Sequence, residues 1–318
     1  TANPITFTGA GARGDDITLT VDTSNHSISD LIALKALTNQ STFSFDGNLG
    51  IGDTIDNLVK ADGSDVKDDV ETIIAATSSP KVALTAFTID HDNDIKQLNA
   101  LAAEPGIGAI TGTVTDTSGT FILDRFGTLI GLTSDDAITV DLTDTGFTFD
   151  DHQVTRFSSL VNATGISSIT GSATISSTRA GSIGAINDSS NKIGVNFTLS
   201  EQSNIANASA LVGNTSGTVT FHNDGISNAL SGFVDSSASS GLSSGWTAIK
   251  NEDGAVNITV TGFTNPVEAT EITQFNTAAA ETTGTITASI SGIGTRLANL
   301  STTAFTGVDP LTLTITNN

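Results

Sequence analysis

Cysteine, methionine and tyrosine are all absent from this sequence, and tryptophan occurs once. Without cysteine there is no disulfide framework, no thiolate metal site and no thiol nucleophile. An exported protein can gain by avoiding oxidisable side chains, so the absence does not argue for an intracellular compartment. Basic residues are also scarce. Twelve Lys and Arg stand against 34 Asp and Glu, a formal charge of -22 over 318 residues. That balance argues against nucleic acid or an anionic membrane surface as a partner, since both are polyanions. No apolar run is long enough to span a bilayer, so no membrane insertion is expected. No signal peptide is visible, and a chain opening on Thr1 reads as a mature or excised piece.

What is present is apolar or small and polar. Hydrophobic residues make up 37% of the chain, enough to bury a core despite the charge. Only 14% of residues are charged, which leaves the surface to Thr, Ser, Asn and Gly.

The apolar residues are patterned. The triplet Ile28, Leu31, Leu34 returns as Ile95, Leu98, Leu101, then Val154, Phe157, Leu160, then Ile205, Ala208, Leu211, then Ile272, Phe275, Ala278. Residues three apart share a helix face, so each triplet predicts a short amphipathic helix. A strand signal follows each stripe at a nearly constant distance, as in "ITGSATIS", "TVTFHND" and "TITASISG". In the last of these Ile286, Ala288 and Ile290 fall on one face, and Thr285, Thr287 and Ser289 on the other. After a variable segment comes a second strand type, with copies "ITLTVDT", "KVALTAFTID", "AITVDLTD", "KIGVNFTLS", "VNITVTG" and "LTLTITN". Alternation with period 2 means that one face is buried and the other wet. In the last copy Leu311, Leu313 and Ile315 are expected to face inward. An inserted helix is expected at "VKDDVETIIAA". Among the variable segments, "DTSGTFILDRFGTLIGL" reads as helical and "DSSASSGLSSGW" as a Ser/Gly loop.

Helices between strands favour parallel pairing, because a parallel crossover needs a long connection. The expectation is therefore a β-rich α/β repeat protein, a solenoid-like stack of about five strand–short helix–strand units. It forms one continuous array over 1–318, with approximate units 17–81, 82–137, 138–192, 193–255 and 256–318, and an N-terminal strand and turn in 1–16. An all-β sandwich array is the alternative. The pattern leaves open whether the two strand types share one sheet or form two facing sheets.

The unit "ATEITQFNTAAAETTGTITASISGIGTRLANLS…DPLTLTIT" resembles a repeat of very large cyanobacterial surface proteins, and similar modules occur in phage virion proteins. Those repeats carry a helix with Gln and Asn, a TTG turn, a "TITA"-like strand, an "AANL"-like helix and a "LTLT" strand. The match is good over 267–316, recognisable at 94–142 and 152–199, and degrades over 24–90. The resemblance implies an extracellular structural or adhesive part, and carries no catalytic residues across.

Several short motifs carry two readings. "GAGARG" at 9–14 fits a dinucleotide-binding turn, but a strand follows it instead of the required helix, so a glycine-rich turn is expected. The same stretch holds Arg13-Gly14-Asp15. "GLSSG" at 241–245 fits the nucleophile-elbow pattern inside a Ser/Gly-rich run. His26, His91, His152 and His222 have no metal-ligand spacing. Trp246 is expected to pack in a loop, with a ligand platform as the competing reading. Asp90, Asp92 and Asp94 match the first ligands of a Ca²⁺-binding loop, but Ile95 and Leu101 stand where that loop needs Gly and Glu. Helix capping is the simpler reading, and Ca²⁺ is the one cofactor to consider. Acids also recur before the second strand type, at Asp15–Asp16, Asp135–Asp136, Glu252–Asp253 and Asp309. Turn chemistry explains them, and a cation-binding column is the alternative.

The functional expectation is a non-enzymatic extracellular structural protein, a filament or surface-layer subunit whose partner is a second copy of itself. Open strand edges would join head-to-tail. Leu311, Leu313 and Ile315 would form one face of the contact, and Ile5, Phe7, Ile17 and Leu19 the other. The alternatives are a phage fibre or virion decoration protein, or an adhesin or carbohydrate-binding module whose partners are surface glycans.

Overall fold

Period-2 runs rich in Thr, Val and Ile alternate with apolar stripes at helical spacing, and the secondary structure follows them. A computed structural model describes residues 17–20, 24–38, 43–46, 49–116, 122–123, 131–143, 148–235, 241–301, 303–305 and 309–316. In chain order the elements are β1 (Ile17–Thr20), β2 (Asn25–His26), α1 (Ile28–Thr38), β3 (Phe43–Asp46), β4 (Gly50–Asp53), α2 (Ile55–Leu58), α3 (Asp68–Ala75), β5 (Lys81–Ile89), α4 (Asp92–Ala103), β6 (Ala109–Asp116), β7 (Ala137–Leu142), α5 (Asp151–Val161), β8 (Ile166–Ile175) and α6 (Ser177–Gly184). They continue with β9 (Asn196–Leu199), α7 (Ile205–Asn214), β10 (Val219–Thr220), β11 (Ile226–Ala229), α8 (Leu230–Phe233), α9 (Ser244–Glu252), β12 (Ile258–Thr261), α10 (Ala269–Ala279), β13 (Ile286–Gly292), α11 (Gly294–Leu297) and β14 (Leu311–Ile315).

The chain divides into two compact units, Thr1–Asp144 with Ser159–Thr170, and Thr145–Ser158 with Gly171–Asn318. In the first unit β1 pairs with β3, and the main sheet runs β2, β4, β5, β6, β7 and the first half of β8. The last step is held by Ile138 N–H donating to the Gly165 carbonyl at 2.8 Å and by the Ser167 hydroxyl donating to the Ile138 carbonyl at 3.1 Å. In the second unit the later half of β8 pairs with β9, and β9 with β10; a four-stranded sheet runs β11, β12, β13, β14. The ladders described between these strands are parallel. Neighbours in each sheet follow chain order, so both strand types alternate within one sheet. The all-β sandwich alternative is overturned, because helices occupy the connections that parallel pairing demands.

All five predicted helix stripes are helical, in α1, α4, α5, α7 and α10. Their apolar residues are buried, apart from a half-buried Val154. The strands alternate as expected. Ile286, Ala288 and Ile290 of β13 are buried, whereas Thr287 and Ser291 are half-buried and Ser289 is exposed. In β5 the alternation slips between Leu84 and Phe87, where Ala86 adopts a φ of 49° and a bulge interrupts the register. The inserted helix is present as α3, with Val70, Ile73 and Ile74 buried. Most of 116–132 lies outside the described residues, although Ile122 and Leu123 are helical and buried.

The Ser/Gly stretch before Trp246 departs from the expected loop. Residues 236–240 lie outside the described residues, but Ser243 caps α9, its Oγ accepting from Trp246 N–H at 3.1 Å. Serine suits that position because its side chain competes for backbone groups, and the same property makes it read as loop. Trp246 is 0% exposed and meets Phe233 edge-on at a ring separation of 5.2 Å. It anchors the second unit's core with Ile258, Val260, Phe275 and Ile290, which rules out the ligand-platform reading.

A polar turn repeats where α7 and α10 feed their strands. Thr282 Oγ1 donates to the Val256 carbonyl at 2.6 Å and accepts from Gly284 N–H at 3.0 Å. Thr215 does the same, donating to Val195 at 2.8 Å and accepting from Gly217 at 3.0 Å. Asn257 Oδ1 then takes Thr285 N–H at 2.7 Å, as Asn196 Oδ1 takes Thr218 N–H at 2.9 Å. The glycines let the two backbones approach. A Cβ on Gly284 would stand 2.4 Å from the Ala255 carbonyl oxygen, well inside contact distance. Gly284→Ala should therefore destabilise the protein by about 1–3 kcal/mol, the usual range for forced overpacking. Thr282→Val, which keeps the shape and orphans two polar groups, should cost about 1–3 kcal/mol. Urea unfolding of both variants checks this, and a midpoint equal to the parent's would refute the role of the turn.

Candidate functional site

The second unit's four-stranded sheet ends on β14, which among the described residues pairs on one side only. Its start is fixed by Asp309. The Asp309 carboxylate accepts Ile286 N–H of β13 at 2.9 Å, and its carbonyl accepts Leu311 N–H at 2.8 Å. From there Leu311 lies beside Ala288, Leu313 beside Ile290 and Ile315 beside Gly292. These three therefore continue the core face of β13. Leu311 packs against the core as a half-buried residue. The expectation that all three face inward fails beyond it. Leu313 is 47% and Ile315 73% exposed, the two large hydrophobics left exposed among the described residues.

The same two residues carry the open backbone. Thr316 N–H donates to the Gly292 carbonyl at 3.0 Å, toward β13. Successive residues of a strand address opposite sides, so the amides and carbonyls of Leu313 and Ile315 point away from β13. The edge thus offers unpaired hydrogen-bonding groups and uncovered apolar side chains at the same positions. Of the residues expected on the opposing face, Ile5 and Phe7 lie outside the described residues. Ile17 and Leu19 belong to β1, in register with Phe43 and Phe45 of β3.

The acidic candidates resolve differently. Asp90 and Asp94 do converge, together with His91, but Asp92 is not part of that group. Asp94 Oδ2 accepts Asp90 N–H at 2.9 Å and His91 N–H at 2.8 Å, closing a capping box at the start of α4. One carboxylate is thus engaged by amides at the positive end of a helix dipole, which disfavours a cation there. The acids before the second strand type act alike. Asp136 takes Ile110 N–H at 2.5 Å and Glu252 takes Val219 N–H at 2.7 Å, as Asp309 takes Ile286 N–H. Each accepts the amide of an apolar residue at the start of a neighbouring strand. Asp15 and Asp16 lie outside the described residues, as do the glycine-rich turn at 9–14 and Arg13. A second trio, Asp65, Glu71 and Glu104, brings carboxylate oxygens within 4.8 Å of one another, and burial, then repulsion by Glu71 and Asp65, raises the pKa of Glu104.

The elbow-like "GLSSG" is a helix start, not a nucleophile turn. Ser243 Oγ donates to the Gly232 carbonyl at 2.5 Å as well as capping α9. One carboxylate has no sequence signal pointing to it. Asp53 is buried, and its two oxygens accept Ile28 N–H at 2.9 Å, Thr54 N–H at 2.8 Å and the Asn57 amide at 2.6 Å. It ties the start of α1 to the end of β4. No family model, curated protein or solved structure matches this chain. The likeness to cyanobacterial surface repeats rests on the residues quoted above. Among the described residues no helix is long and apolar enough to cross a membrane.

Burial alone would raise the pKa of Asp53, but hydrogen bonds from Asn57, Ile28 and Thr54 and the Lys67 charge outweigh it and lower the pKa. The folded state thus holds the charged form more tightly than the unfolded chain. The stabilisation is present above the unfolded carboxylate pKa and is lost as pH falls through the lower, folded one. Urea unfolding between about pH 6 and about pH 2 should show an acid-linked loss that is shallower in Asp53→Asn. Asp94→Ala should cost about 1 kcal/mol through loss of the cap, read from the thermal midpoint. If adding Ca²⁺ raised the parent's midpoint and not the variant's, the Ca²⁺ reading would stand in place of capping.

Proposed function

We propose that this protein is a non-enzymatic structural component of the cell exterior, a filament or surface-layer subunit that assembles head-to-tail through strand edges. The observation that carries the reading is β14, where Leu313 and Ile315 present unpaired backbone and exposed apolar side chains together. The occupant is a strand from a second copy. Each paired repeat strand of this chain has another of its own strands beside it, in parallel, so a copy supplies the matching chemistry. Parallel strands in chain order, with helices at the connections, support a solenoid-like repeat array in which such an addition extends the existing pattern. An acidic Thr- and Ser-rich surface, the lack of Cys and Met, and the resemblance to surface-protein repeats favour the extracellular setting.

A charge of -22 opposes association between copies, and salt screens it. Polymer formed by the parent should therefore increase with ionic strength. Leu313→Lys with Ile315→Lys should abolish it while leaving the thermal midpoint near the parent's, because charge on an exposed edge blocks strand addition. Electron microscopy and light scattering of both proteins give the readout. Polymers that persist unchanged in the double variant would remove this edge from the contact, and a parent that stays monomeric at every salt concentration would sink the reading.

A further inference from the structure

On the hydroxyl-bearing face of the second unit's sheet lies a groove of about 300 Å³, close to the break between β10 and β11. The break is specific. Gly225 N–H donates to the His222 carbonyl at 2.7 Å, turning the chain so that Asn223 and Asp224 stand exposed above the sheet. Gly225 sits at a φ of 63°, and a Cβ there would come within 1.9 Å of the Asn257 carbonyl oxygen, so the turn requires glycine.

Two amide side chains are fixed at the groove by the framework. Gln202 Nε2 donates to the Asp224 carbonyl at 2.8 Å and to Thr259 Oγ1 at 3.3 Å. Asn257 Nδ2 donates to the Asn223 carbonyl at 2.6 Å, while its Oδ1 is held by Thr285 N–H. The remaining wall is hydroxyl, from Thr285 and Thr287; Ile258 offers backbone, since its side chain is buried in the core. The lining is thus held in place before any ligand arrives, which limits the ordering cost of binding.

Its chemistry selects the ligand. No Lys or Arg lines the groove and Asp224 does, so an anion is repelled. A single carboxylate is a poor match for a hard divalent cation, which needs several charged oxygens. An apolar molecule would cover the Asp224 carboxylate and the Thr285 and Thr287 hydroxyls without offering them partners. A neutral polyhydroxylated molecule can donate to the Asp224 carboxylate and exchange hydrogen bonds with the Thr285 and Thr287 hydroxyls. We propose that this groove binds a segment of neutral oligosaccharide. The site is separate from the β14 edge and does not depend on assembly.

The groove has no aromatic platform among its lining residues, so affinity from hydrogen bonds alone should be weak, with a Kd on the order of 1 mM. Ligand-observed saturation-transfer NMR suits that range and tolerates polymers. The probes are cellotetraose, maltotetraose and chitotetraose, with trigalacturonate as the anionic control. At least one neutral tetrasaccharide should give a saturable signal, and trigalacturonate a weaker one. Thr287→Leu, which fills the groove while leaving the strand's hydrogen bonds intact, and Asp224→Ala should each weaken binding about tenfold or more. Circular dichroism melting confirms that both variants fold. Absence of saturable signal from all three neutral probes overturns the proposal, as does undiminished binding by a folded Thr287→Leu variant or stronger binding of trigalacturonate.

Discussion

Parallel pairing between strands close in chain order is the constraint from which the rest of this structure follows. A parallel ladder cannot be closed by a tight turn, so the chain must leave the sheet at the end of each strand and return to its start. Here it returns through short helices. A right-twisted strand feeding a right-handed crossover packs back on the sheet in one hand, so successive helices favour the same face. That face becomes the core, lined by Ile258, Val260, Ile286, Ala288 and Ile290 in the second unit. The other face stays wet, and Thr and Ser occupy it because a β-branched or small hydroxyl side chain suits an exposed pleat.

Polar side chains set the register of that progression. The hydroxyls of Thr215 and Thr282 bridge a carbonyl and an amide across the turns that follow α7 and α10. Asn196 and Asn257 take the next amide, and carboxylates at Glu252 and Asp309 take the first apolar one. A strand that began one residue early or late would lose all three bonds and turn its apolar residues to water. The acidic residues before these strands thus have a structural use, and their negative charges sit where a backbone amide meets them. The same arrangement explains why β14 is well placed yet incompletely covered. Its start is secured by Asp309 and one side by β13, while Leu313 and Ile315 stay exposed.

Much of this was legible in the sequence because both periodicities are physical. The stripe Ile272, Phe275, Ala278 had to be a helix face and Ile286, Ala288, Ile290 a strand face. The candidate edge at Leu311, Leu313 and Ile315 was found by the same pattern, but its exposure was not, because alternation reports which residues share a face and not whether anything covers it. Asp92 was grouped with Asp90 and Asp94 because carboxylates at every second position look like ligands; the turn of the helix separates them. The start of α9 hid in a Ser/Gly run, since serine caps and serine loops have the same composition. The groove beside Asp224 was illegible for a different reason. Gln202 and Asn257 are 55 positions apart, and only the break between β10 and β11 places them at one groove.

Among the described residues, strand partners lie close along the chain: the paired positions range from Val219 with Phe197, 22 residues apart, to Ile226 with Ile258, 32 apart. That span is set by the short connection between paired strands, so it does not grow with the number of strands. The conformational search for each pairing is therefore of fixed size, and the free energy gained per added strand is set by its immediate neighbours. Genetic duplication or loss of such a segment would lengthen or shorten the protein without forcing the surviving pairings to be found anew. A chain organised in this way can vary its number of strands at little cost to its ability to fold.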